Sequence, residues 1–171
     1  MSNAVNIEFD DRAMLLAIAR ALQTLAHPRA MLAQIGAKME ANAQQRFASR
    51  TDPSGAAWPA LAPATVAIYS SAWFIKHNPA FKGGLPGSLL TRTNQLRQSL
   101  AFNASDDALE IGTSRATKGG KWQVGFLHEF GTAKMPRRAL LTANAKTGEL
   151  GAQDRADMLA IVAQTLGRAF A

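Results

Sequence analysis

His128 and Glu129 stand next to each other in the stretch WQVGFLHEFGTAKMPRRALL, residues 122–141, and come closer to a catalytic pair than anything else in this 171-residue chain. An imidazole beside a carboxylate is raw material for general acid–base chemistry and for zinc binding. The spacing supports neither. A zinc helix needs a second histidine four residues after the first, and HEFG does not lead to one. His27 and His77 read as residues of a helix turn and a loop, with nothing that joins them to a site. No serine sits in a G-x-S-x-G turn, no P-loop or G-x-G-x-x-G occurs, and GTSRATKGGK lacks the Walker spacing. His128 therefore reads as a structural hydrogen-bonding residue. No enzyme activity, cofactor or metal is expected.

The second chemistry open to this stretch is electrostatic. From 115 to 138 six bases, Arg115, Lys118, Lys121, Lys134, Arg137 and Arg138, accompany a single acid, Glu129, in a chain of net charge +7. Such a local excess suits a polyanion or an acidic protein face, and equally a solvated loop. Trp122 could stack on a base. No helix-turn-helix, zinc finger or other reader motif is present, so only non-specific contact with DNA is in question. A contact surface needs fewer coincidences: Phe126, Phe130, Pro136, Arg137 and Arg138 combine apolar area with forked donors, as interfaces do. At least one of the two phenylalanines is expected in the core. The six bases are thus candidates for an interface or a DNA channel, with the loop from Lys134 to Arg138 the sharpest of them.

The elements that must hold these residues follow from pattern. The chain is long enough for one domain, 47% hydrophobic, without cysteine and therefore without disulfides or thiolate metal sites. No window of 18 apolar residues occurs, so no membrane span is expected, and the acidic start MSNAVNIEFDD does not resemble a signal peptide. After Asp10 and Asp11, the residues Leu15, Ile18, Leu22 and Leu25 form one apolar stripe of a helix that ends near His27. Pro28 opens a second helix to about Ser49, with Leu32, Ile35, Met39, Ala43 and Phe47 inward and Lys38, Asn42, Gln45 and Arg46 outward. Gly36 would let another helix cross closely. Asp52, Pro53, Ser54 and Gly55 have the chemistry of a tight turn, and Trp58 reads as a buried anchor for it.

Further on, residues 64–76 read as a short helix with Val66, Tyr69 and Trp73 on one side, and 77–88 as a long loop with two prolines and three glycines. TNQLRQSL, residues 93–100, reads as a short helical segment burying Leu96 and Leu100. Residues 100–104 and 108–113 form a β-hairpin around Ser105, Asp106 and Asp107. Trp122–Phe130 fits a strand or a helical turn, Arg138–Thr142 a last short strand, and Asp154 and Asp157 begin a final helix with Leu159, Val162, Leu166 and Phe170 as its stripe. The expected fold is α+β: an N-terminal helical hairpin, a small antiparallel β-sheet and a C-terminal helix. It forms one domain over 1–171, with 1–9 an extended arm.

Four segments, in order, resemble the phage virion morphogenesis (tail-completion) family. Phe47, Arg50, Asp52, Pro53, Gly55, Trp58 and Leu61 are similar to its turn F…R-x-D-P-x-G-x-x-W-x-x-L. Thr93, Asn94, Leu96, Arg97 and Ser99 are similar to T-G-x-L-R-x-S. Ile111, Gly112 and Thr113 match a strand that ends in a glycine turn. His128, Phe130 and Gly131, followed by Pro136, Arg138 and Leu141, are similar to Y-A-x-x-H-x-F-G and I-P-A-R-P-F-L. Asn94 replaces a glycine, Val124 and Gly125 replace Tyr-Ala, and Arg137, Ala139 and Leu140 replace Ala, Pro and Phe. The resemblance implies a structural virion protein of a tailed phage or prophage, without catalysis or cofactor. Such a protein would be assembled in the host cytoplasm and act as a ring of its own copies at the head–tail junction. Portal or connector and tail proteins would be its partners, with possible contact with genomic DNA and none with membrane. The alternative is a non-specific DNA-binding or packaging accessory protein, and a weaker third is a hydrolase using His128.

Overall fold

The computed structural model describes residues 12–77, 89–90 and 94–171. The arm at 1–9, all but the first residue of the 77–88 loop, and Thr93 lie outside the described residues. In chain order the elements are α1 (Arg12–Ala26), α2 (Arg29–Ser49), α3 (Pro63–Ser70), α4 (Ala72–His77), α5 (Gln95–Gln98), β1 (Leu100–Ala104), β2 (Leu109–Thr113), α6 (Val124–Phe130) and α7 (Ala152–Gly167). β1 and β2 pair antiparallel, Phe102 opposite Ile111 and Ala104 opposite Leu109. This is the expected α+β arrangement of helical hairpin, small antiparallel sheet and C-terminal helix.

α2 is the axis on which the rest is hung. Its buried face contains Ile35, Met39, Ala43 and Phe47 as the periodicity requires, with Met31 more deeply placed than Leu32. Met31, Ile35 and Met39 meet Leu109 and Ile111 of the hairpin and Met158, Ile161 and Val162 of α7. Two turns beyond, Phe47 joins Trp58, Leu89, Leu96 and Leu140 in a second cluster. The rings of Phe47 and Trp58 meet edge-on at 5.8 Å, and the indole N–H donates to the Ala139 carbonyl at 3.1 Å, so the anchor role of Trp58 holds. Gly36 is required by a strand rather than a helix: a Cβ there would run into the Phe102 ring and Leu109. The turn after α2 forms as expected, with the Asp52 carboxylate accepting from the Ser54 and Ala56 amides at 2.8 and 3.0 Å.

Several inward and outward assignments differ. Arg46, expected to face solvent, is buried and forks onto Asp154 of α7, both contacts at 2.7 Å, while its other nitrogen donates to the Leu140 carbonyl at 2.7 Å. Asp154 is 0% exposed, and Asn42 donates to it and to Asp157. Helical periodicity alone cannot see a buried ion pair, because it ranks arginine with the solvated face. On α7 the inward residues are Met158, Ile161 and Val162, whereas Leu159 and Phe170 are exposed. The helix over 64–76 is two helices, broken where Ser71 turns extended and its hydroxyl accepts from the Phe74 amide. Trp122–Phe130 resolves into the helix α6, and residues 138–142 form no strand.

α1 stops where its sequence signals place it, while the capping signals Asp10 and Asp11 lie outside the described residues, and its stripe faces outward. Leu15, Ile18, Leu22 and Leu25 are all exposed, Leu22 by 62%, and the helix buries no residue. Only its small side, Ala17, Ala21 and Thr24, is half covered.

Candidate functional site

The stretch from 115 to 142 divides into a surface loop and an internally tied hub. The hub is built on Glu129. At the end of α6 its buried carboxylate accepts the Leu140 amide at 2.8 Å, the Leu141 amide at 3.1 Å, the Thr142 amide at 2.7 Å and the Thr142 hydroxyl. One side chain thus satisfies three backbone N–H groups of a segment that has no strand partner. Gly131 ends α6 at φ 72, and a Cβ there would sit 3.0 Å from the Arg137 nitrogen, so glycine is needed both for the left-handed backbone and for the close approach. Thr132 to Met135 then fold back on themselves, with paired backbone hydrogen bonds of 2.8 and 3.2 Å. Lys134 is exposed on this turn, and Pro136 leads into the arginine pair.

Both arginines are used inside the fold. Arg137 donates to the Glu129 carbonyl at 2.8 Å, the Ala143 carbonyl at 3.2 Å, and the Thr142 carbonyl and hydroxyl, with the Glu129 carboxylate at 3.9 Å. Arg138 is 4% exposed and donates to the Pro59 and Ala60 carbonyls at 2.8 and 2.9 Å, which ties the hub to the segment after Trp58. Burial pushes the Arg138 pKa down, yet a guanidinium remains charged at any working pH. The candidate interface therefore loses its two expected anchors, because their forks are spent on carbonyls.

The imidazole of His128 lacks the expected hydrogen bond at one of its two nitrogens. Its Nδ1 is buried without a hydrogen-bond partner, and Glu129 turns to the backbone of 140–142 instead. Burial first, and the Arg138 charge second, lower its pKa to about 4. His128, Arg138, Arg115, Lys134 and Tyr69 line one cavity of about 380 Å³, so Arg115 and Lys134 come to the same opening.

Lys118 and Lys121 belong to the surface loop. Ala116 and Gln123 pair across it, the Thr117 amide donates to the Trp122 carbonyl at 2.8 Å, and both lysines and Arg115 are exposed. Lys121 lies 5.9 Å from the centre of the Trp122 ring, which is itself 52% exposed. Phe126 and Phe130 are exposed and lie against each other at 4.6 Å, so neither is a core residue. Of the remaining motif residues, Leu96 is core and Arg97 half-buried. Asn94 adopts the left-handed backbone (φ 57) that its replacement of a glycine requires. Pro53 is buried against Gly151, whose Cβ would collide with the Pro53 carbonyl.

Sequence reading missed Glu129 as the organiser and Thr142 as its partner. The available signal was that one acid stood among six bases, the arrangement of a carboxylate retained for internal donors. Among the described residues no cluster of three or more His, Asp or Glu could hold a metal ion, and no helix is long and apolar enough to cross a membrane.

Compared with known proteins, the chain matches no curated protein and no solved structure. The family model that describes the phage virion morphogenesis family matches residues 9–167, from before α1 to the last residue of α7. All four motif segments and both flanking helices fall within that span, and the chain belongs to the phage virion morphogenesis family.

Proposed function

We propose that this virion-assembly protein is a structural subunit of the head–tail junction of a tailed phage or prophage. In this reading it completes the tail by closing a ring with its own copies. The ring meets the portal or connector on one side and tail proteins on the other. The observation that carries the reading is α1: a helix with a leucine stripe that its own chain leaves exposed. Exposed apolar faces of this size on a soluble chain mark contacts. The family assignment supports a role in virion assembly, and the Glu129 hub supports a stiff body from which contacts can be presented. Nothing in the reading calls for catalysis or a cofactor. Deleting the gene from the producing phage or prophage should yield filled heads and separate tails, and labelled protein should appear at the neck of intact particles. Joined, infectious particles from the deletion, or label elsewhere in the virion, would overturn it.

A second reading has its own observation. Arg115, Lys118, Lys121 and Lys134 remain at the surface, with an exposed Trp122 among them. Such a set fits non-specific contact with duplex DNA, either as a packaging accessory or along the channel of the ring.

A further inference from the structure

We propose that the cavity between α3 and α6 binds an apolar residue that ends in a free carboxylate, the C-terminal residue of a partner polypeptide. The site is separate from the neck position proposed above and does not depend on it.

Its walls come from two helices and the turn of the hub. Thr65 and Tyr69, one turn apart on α3, and Val124 and His128, one turn apart on α6, line the same space of about 380 Å³. Ligand sites run from about 300 to 1,000 Å³, so this one suits a group of a residue or two and not a duplex. Leu61, Leu89, Leu90 and Leu96 give it an aliphatic side that continues into the cluster around Phe47 and Trp58. Leu90 holds a left-handed backbone (φ 59), a conformation that strains a leucine and that concentrates at ligand clamps.

The charges select an anion. Among the described residues that line the cavity three are cationic, Arg115, Lys134 and Arg138, and none is acidic. Arg138 is buried, and its partners are the neutral carbonyls of Pro59 and Ala60, so it forms no ion pair among the described residues. Buried charges are ordinarily matched by an opposite one. Arg115 and Lys134 are exposed and also have no ion pair among the described residues. Glu129, the acid next to His128, is turned to the backbone of 140–142 and lines a different groove. The cavity thus keeps a positive potential that its own walls do not neutralise. His128 adds a ring whose Nδ1 lacks a partner and which stays neutral down to about pH 4, with one N–H to donate.

The kind of anion follows from the walls. Bases stack on aromatic platforms, whereas the apolar side here is aliphatic apart from Tyr69. A guanidinium fork from Arg115 and a point charge from Lys134 match one carboxylate on an apolar body. In a virion-assembly family such a group is at hand wherever a polypeptide ends in an apolar residue, and capture of a C-terminal carboxylate is a recurring way to hold a peptide.

The test uses the full chain and a pentapeptide of glycine and serine that ends in leucine, as the free acid and as the C-terminal amide. Calorimetry should show the acid binding about tenfold tighter than the amide, the factor of one charge-assisted contact. Lys134→Gln and Arg115→Gln should each remove most of that difference with unchanged circular dichroism, since both side chains are exposed. Lys118→Gln with Lys121→Gln should leave it intact, because neither lysine lines the cavity. By nuclear magnetic resonance the His128 ring signals should shift with the acid, while those of the exposed His27 and His77 stay in place. An acid that binds no better than its amide, or not at all, overturns the inference. So does a preference that disappears with Lys118 and Lys121, which would place the peptide on the surface loop. Octanoate binding more tightly than the peptide would make a free acid the occupant and overturn the chain terminus. Label away from the neck of the particle would overturn the neck position and leave this site standing.

Discussion

Glu129 shows how much one carboxylate can organise when it is turned from solvent to backbone. Three amides and a hydroxyl converge on it, and no ladder is available to them otherwise. Leaving a buried donor unmatched costs about 1–3 kcal/mol, so Glu129→Ala should destabilise the chain by at least about 3 kcal/mol. Glu129→Gln, which keeps one acceptor oxygen and the shape, should cost about 2 kcal/mol. Urea unfolding measures both, and a loss below about 1 kcal/mol for the alanine variant would mean that the hub does not hold 140–142. His128 gives a pH signature with a definite sign. Its folded pKa, about 4, lies below the ordinary 6.5. Between those values the unfolded chain carries a proton that the folded chain refuses, so stability falls as pH falls from 6.5 toward 4. Above 6.5 neither state is protonated and the effect vanishes. The whole shift corresponds to about 3 kcal/mol, and the partly open ring should realise about half of it. The native chain should therefore lose more stability than His128→Phe between pH 7 and pH 4.5. Parallel curves for the two would remove His128 from the pH response.

At the scale of elements, the contrast between α1 and α2 governs what substitutions do. Arg46 of α2 and Asp154 of α7 form a buried fork, and Asn42 adds a donor beside it. Breaking one partner of such a pair strands a buried charge, so Arg46→Ala or Asp154→Ala should cost about 3–5 kcal/mol. Replacing both by Met and Leu should cost far less, which a double-mutant cycle in thermal or urea unfolding resolves. If the double variant were as unstable as the sum of the singles, the pair would not be acting as a unit. Leu22→Ser on α1 should change the stability of the isolated chain by less than about 0.5 kcal/mol, because its side chain is already exposed. Ile35→Ala on α2 should cost about 2–5 kcal/mol. The periodicity of both helices was legible in the sequence, and so were their ends at His27 and Arg50. Periodicity locates an apolar stripe without saying what covers it. It therefore could not tell the stripe of α2, which meets the hairpin and α7, from that of α1, which is exposed. Likewise the alternation in 100–113 disclosed a hairpin, while the crossing of Phe102 over Gly36 is a tertiary fact that no local pattern carries.

For the whole molecule, the question is where a net charge of +7 can act. The candidate site was only half legible: charge counting found the six bases but could not sort those spent on carbonyls from those left to solvent, since the difference lies in the tertiary positions of Pro59, Ala60 and Thr142. With Arg137 and Arg138 engaged internally, the polyanion-facing set reduces to Arg115, Lys118, Lys121 and Lys134. Four phosphate contacts give a slope of log K against log salt of roughly −3 to −4 on duplex DNA. Neutralising Lys118 or Lys121 should lower that slope by about 1 each and leave folding intact, since both are exposed loop residues. Arg138→Gln should behave in the opposite way. Its carbonyl partners at Pro59 and Ala60 lose their donors, so stability falls while the slope measured on the folded fraction stays put. Filter binding or fluorescence anisotropy across a salt series, paired with unfolding curves for each variant, separates the two classes. A slope near zero for the native chain would mean that the surface bases serve an acidic protein face instead of DNA. A slope that fell with Arg138→Gln as much as with Lys118→Ala would show that the guanidinium leaves its carbonyls when DNA arrives.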